Sequence, residues 1–182
     1  LSDIPNSLNI IPREVRGDII ISKMPSASIV YSDIAFDVSD FSVEDIEYVS
    51  LLSRVMLMTD VGDMDYSSFL SSMRFVTGAF SSFLDIGSDC NGEEKDSLIF
   101  RFKSLSGHFD EALDLLLKLL KEGNFSSPDR VRAALRDIES DYEASVVRQA
   151  HSFALGSASR SLTSSLYTTE RTEGLMFWYR VE

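Results

Sequence analysis

The sequence predicts an α+β fold: an antiparallel sheet with helices packed on one face. Three observations carry this. Short apolar runs with a two-residue period occur in neighbouring pairs. Longer segments with helical periodicity carry start and stop signals. The order is two strands, two helices, two strands, then helices, which favours hairpins over βαβ crossovers. At 182 residues the chain is long enough for one domain with a full core, spanning residues 1–182, and two small domains are not expected.

Residues 1–16 are expected to be irregular, because Pro5 and Pro12 oppose helix. Ile19-Ile20-Ile21 marks a first strand over residues 18–24, and Pro25-Ser26-Ala27-Ser28 a turn. Val30, Ile34, Phe36 and Val38 fall on one face of a second strand, with Asp33 and Asp37 on the other. Ser42 with Asp45 signals a helix N-terminus, flanked by Phe41 and Ile46 at staple positions. That helix is expected to carry Tyr48, Leu52, Val55, Met56 and Met58 and to stop near Gly62. A second helix from Asp65 places Tyr66, Phe69, Leu70, Met73 and Val76 on one stripe and ends at Thr77-Gly78.

Residues 79–86 and 97–105 read as a hairpin joined by the polar loop around Cys90. Leu98, Phe100 and Phe102 should face the core, with Arg101 and Lys103 opposite. A helix over residues 108–122 has Asp110 and Glu111 in its first turn, Lys118 and Lys121 in its last, and Gly123 as its stop. Ser127-Pro128 opens a long helix with Val131, Leu135, Ile138, Tyr142 and Val146 as its stripe. The Ala-, Gly- and Ser-rich segment 150–166 is expected to hold more helix. Leu175 to Tyr179 is too apolar for one strand or one helical stripe to bury in full, so this end is expected to meet further chain or to support a dimer. Both ends read as cuts through a longer chain.

The net charge of −12 argues against nucleic acid and favours basic partners or plain solubility. A single cysteine, Cys90, allows no internal disulfide and points to a reducing compartment, cytoplasm or organelle matrix. Its anionic surroundings oppose a nucleophilic role. No apolar run is long enough to cross a membrane and no secretory h-region is present, so no membrane partner is expected. The two histidines, His108 and His151, lie in no zinc motif, and no paired cysteines exist. Asp60, Asp63 and Asp65 do not fit a calcium loop, because Gly62 comes too early and Ser71 stands at the twelfth position. Capping and solvated carboxylates explain them, as a wet helix face explains Asp137, Glu139, Asp141 and Glu143. Nucleophile-elbow, phosphate-loop and dinucleotide motifs are absent, and Asn124-Phe125-Ser126 is a chance glycosylation match. The expected catalytic, cofactor-binding and metal residues are therefore none.

An ordered set of short stretches carries a resemblance. It comprises Leu1-Ser2-Asp3-Ile4-Pro5, Ala35-Phe36-Asp37 leading into a helix, Gly62-Asp63-Met64-Asp65-Tyr66 and Thr77-Gly78. Phe100-Arg101-Phe102-Lys103-Ser104-Leu105, the helix with Phe109, Leu113, Leu115 and Leu116, Asn124-Phe125 and Asp129-Arg130-Val131-Arg132 complete it. The set resembles the third domain of the presequence-protease and falcilysin-like branch of the insulinase/pitrilysin zinc metallopeptidases, over nearly the whole chain. Ala79 departs from it, where a second glycine often follows Thr-Gly.

The resemblance implies a clam-shell of four related α+β domains, whose first half holds zinc through an inverted His-x-x-Glu-His helix. The second half closes a chamber around unstructured peptides. Here the matching helix, Asp45 to Arg54, has no ligand set, and the family's substrate-contacting Arg and Tyr belong to the fourth domain, so Tyr179 and Arg180 receive no role. The expected function is a non-catalytic domain of such a peptidase, partnered by the remaining domains of the parent chain, with zinc only in the catalytic half. The alternative is an acidic interaction or scaffold domain without peptidase activity in the parent. A free-standing hydrolase lacks any site.

Overall fold

The computed structural model describes residues 13–181. Along the chain run β1 (Arg13–Arg16), β2 (Ile19–Ser22), β3 (Ile29–Asp37), α1 (Val43–Val55), β4 (Asp60–Val61), α2 (Tyr66–Val76), β5 (Thr77–Asp85) and β6 (Ser97–Leu105). Then follow α3 (Phe109–Glu122), β7 (Gly123–Asn124), α4 (Pro128–Arg148), α5 (Ala150–Ser159), α6 (Ser164–Glu173) and α7 (Leu175–Val181). Expectations for residues 1–12 and Glu182 lie outside the described residues.

The main sheet is antiparallel in the order β3-β6-β5. Ile34 pairs with Phe100 and Ser32 with Phe102, so the inward apolar row of β6 meets that of β3 in register. Phe100 and Phe102 are 0% and 1% exposed, as the alternation predicts. They meet Phe69, Met73 and Val76 of α2 and Ala112, Leu116 and Leu119 of α3. The opposite face stays wet. Arg101 donates two hydrogen bonds of 2.7 Å to Asp33 and lies 5.0 Å from the Phe83 ring centroid. Its donated bonds hold the Asp33 carboxyl below its ordinary range. The fold is thus α+β with helices on one face of the sheet.

The caps fall where expected. Ser42 and Asp45 bond reciprocally at α1, Asp65 accepts the Ser68 amide at α2, and Ser127 with Pro128 opens α4. The first hairpin is a correction. Ile19–Ser22 pairs with Arg13–Arg16, a segment expected to be irregular, and not with β3. The charged Arg13–Arg16 has no apolar run to betray it. Gly17 alone in the turn has positive φ, +60°, the residue choice of a two-residue II′ hairpin. Ala27 and Ser28, both left-handed, send the chain away from β2, so β3 finds β6.

α1 is the second correction. It ends at Val55, passes through a 3₁₀ turn at Met56–Met58, and reaches the short β4–β7 ladder before Gly62. The expected stripe is wrong: Tyr48 is 72% exposed and Leu52 is exposed too, while Ile46, Glu47, Ser50, Ser53 and Val55 are buried. Phe41 is exposed and forms no buried staple. The cause is that α1 is covered on two sides. Ile46 packs with Val38 and Leu84 towards the sheet, and Val55 packs with Ala134, Ile138, Tyr142 and Phe177 of the outer helices. The segment expected to hold more helix divides into α5 and α6, and the C-terminal cluster forms a further helix, α7.

Phe102→Ala should cost about 3–5 kcal/mol through lost burial and a cavity, whereas Ser42→Ala should cost about 1 kcal/mol as a lost cap. Urea unfolding followed by circular dichroism ranks the two, and a larger loss at Ser42 would mean that the sheet face is misassigned.

Candidate functional site

The residues that sequence singled out for chemistry are dispersed. His108 lies beside the start of α3, its Nδ1 3.0 Å from Glu111 and its ring edge-on to Phe75. His151 is exposed on α5, and Cys90 is exposed in the β5–β6 loop. Asp60 accepts the Tyr66 amide at 2.8 Å, and Lys118 donates to Asp63 at 2.7 Å. The Lys118 bond lowers the pKa of Asp63, and the Ser68 amide lowers that of Asp65. These carboxylates cap and pair. Asp137, Asp141 and Glu143 are exposed and Glu139 half-buried on α4. Among the described residues, no group of three or more His, Cys, Asp or Glu side chains could hold a metal ion.

The concentrated electrostatics lie where α1 meets α6 and α7. Glu47, 6% exposed, accepts from Nε of Arg171 through one oxygen and from Nη1 of Arg180 through the other. Arg171 is 7% exposed and also donates to the Tyr167 hydroxyl at 2.8 Å. The Glu47 carboxylate pushes the Arg171 pKa further up against the opposing effect of burial. One turn along α1, the Ser50 hydroxyl donates to the Thr172 carbonyl at 2.9 Å. On the sheet side, the Ser82 hydroxyl donates to the Ser53 carbonyl at 2.8 Å. Small hydroxyl residues let α1 approach both neighbours closely while satisfying their own polar groups.

The same junction holds an aromatic group. Arg54 lies 5.3 Å from the Tyr142 ring centroid and 5.5 Å from that of Phe177. Burial raises the Tyr142 pKa, partly offset by Arg54. The Tyr142 hydroxyl donates to the Glu173 carbonyl at 3.2 Å. Glu170, 2% exposed, packs its carboxylate against Gly156 and Gly174, where a Cβ at 174 would collide with it. Of the C-terminal cluster, Phe177 is buried, Leu175, Met176 and Trp178 are half-buried, and Tyr179 is exposed.

Chemically this is a clamp. Both Glu47 oxygens are engaged by guanidinium donors, which leaves neither free to bind zinc or activate water. α1 therefore does not fit a metal. Sequence reasoning missed the cluster because its members lie 124 and 133 residues apart. The one available signal was an acid inside α1 at a position of its buried face.

Glu47→Ala should cost about 3–5 kcal/mol by stranding a buried Arg171. Asp33→Ala, which breaks an ion pair on the wet sheet face, should leave stability nearly unchanged. Thermal unfolding of the two variants checks this, and equal effects would mean that the Glu47 cluster is no more than a surface pair.

The comparisons with known proteins agree with this architecture. Residues 1–181 match a family of domains described as associated with the metallopeptidases of subfamily 16C. Presequence protease 1, chloroplastic/mitochondrial, of Arabidopsis thaliana is 23% identical over 184 residues, covering 97% of this chain and 17% of that protein. An uncharacterized protein of Borreliella burgdorferi is 20% identical over 163 residues, 88% of this chain and 17% of its own length. The chain spans about a sixth of the length of each relative. It belongs to this peptidase-associated family.

Proposed function

We propose that the chain is a non-catalytic domain of a presequence-protease-like zinc endopeptidase, forming part of the wall and closure of a chamber that degrades unstructured peptides. The observation that carries this is the family match over residues 1–181, joined to a presequence protease that aligns over 97% of the chain. The saturated Glu47 supports the non-catalytic part. The helix that resembles the zinc-binding helix of the first half instead spends its buried carboxylate on Arg171 and Arg180. Zinc, in this reading, is held by the other half of the parent polypeptide and no step runs through residues of this chain. The net charge of −12 suits a wall facing basic, unfolded peptides.

An exposed free thiol at Cys90 favours work in a reducing compartment such as cytoplasm or organelle matrix. No helix among the described residues is long and apolar enough to cross a membrane.

The purified chain should hold only substoichiometric zinc and leave an unstructured basic peptide intact, while the full-length polypeptide should cleave that peptide and lose activity to a chelator. Chelator-sensitive cleavage by the chain alone would overturn the non-catalytic assignment. A full-length polypeptide with no hydrolysis would leave an acidic scaffold in its place.

A further inference from the structure

We propose that the β1–β2 ribbon is a docking arm that seats on another domain of the same polypeptide, against an apolar surface rimmed with carboxylates. This rests on the chain being one domain of a longer peptidase, as proposed above. The ribbon has only two strands, and such a ribbon is marginal in water without a surface to pack on. Its register makes Val15 and Ile20 direct cross-strand partners, and they are 67% and 64% exposed on one face. On the other face Ile19 is 63% exposed. Apolar cross-strand pairs stabilise a ribbon only modestly, and leaving three β-branched residues in water wastes their burial. Exposed apolar groups gathered on one projecting element mark an interaction surface.

Charge narrows the occupant. Residues 13–24 carry Arg13, Arg16 and Lys23 against Glu14 and Asp18, an excess of cations inside a chain whose net charge is −12. The complement is an apolar patch with an acidic rim. A second copy is disfavoured, because two chains of that charge repel one another. More than four-fifths of the aligned presequence protease lies outside the match, so further domains are available on the same polypeptide. Tethering presents them at millimolar effective concentration.

Hydrogen exchange of the amides of residues 13–22 tests the arm, with peptide hydrolysis measured on the same full-length preparation. These amides should exchange at least roughly tenfold more slowly in the full-length polypeptide than in this chain alone. Full-length protein carrying Val15→Asp and Ile20→Asp should return to the faster rate, with β6 amides still protected as evidence of folding. Equal exchange in the chain and the full-length polypeptide would overturn the docking arm, and if hydrolysis is intact the peptidase assignment stands. Slowed exchange without hydrolysis would support the arm and remove the peptidase assignment. Protection that rises with the concentration of the isolated chain would transfer the contact to a second copy and also overturn the proposal.

Discussion

The rest of the structure depends on α1 being buried from two sides at once. A helix between a sheet and a helical layer has no wet face wide enough to hold all of its polar groups. α1 meets this constraint by confining exposure to a strip that carries Tyr48 and Leu52 and by burying Glu47, Ser50 and Ser53. Each of these polar residues finds a partner: guanidinium groups for Glu47, carbonyls for the serine hydroxyls. A buried carboxylate without them would be costly, so the position of Glu47 dictates where Arg171 and Arg180 must lie. α6 and α7 are docked by that requirement as much as by the packing of Phe177.

Two kinds of cohesion result. On the sheet side the contacts are apolar and depend on shape, as Phe100 and Phe102 close against α2 and α3. On the outer side an apolar group around Tyr142 is joined by directional ionic bonds. Apolar packing tolerates small shifts, whereas the guanidinium bonds fix the angle of α6 and α7. A domain that must keep its outer helices oriented towards other domains gains from such a clamp. This is consistent with a family whose relatives are about six times longer than the chain.

Much of the fold was legible from sequence where local signals agreed with burial. The β6 alternation, the Ser42, Asp65 and Ser127 caps and the Ser127-Pro128 start all act within a few residues. The failures share one cause, dependence on distant partners. Arg13–Arg16 reads as a charged loop until Ile19–Ser22 pairs with it. Tyr48 and Leu52 look like core until the outer helices place Glu47 and Ser50 there instead. The Glu47 cluster joins residues more than a hundred positions apart, and no local pattern announces it. The lack of a ligand set in α1 could be read directly, but the use to which its buried acid is put could not.

Trp178, the single tryptophan, packs in the outer apolar group, whereas β6 lies at the centre of the sheet. Tryptophan emission therefore reports the outer layer, and hydrogen exchange of β6 reports the inner one. If Glu47 is the joint between the layers, a Glu47→Gln variant should release the outer layer first, with red-shifted Trp178 emission in mild urea while β6 amides remain protected. Loss of both signals at one urea concentration, as a single unit, would contradict the central role of the joint.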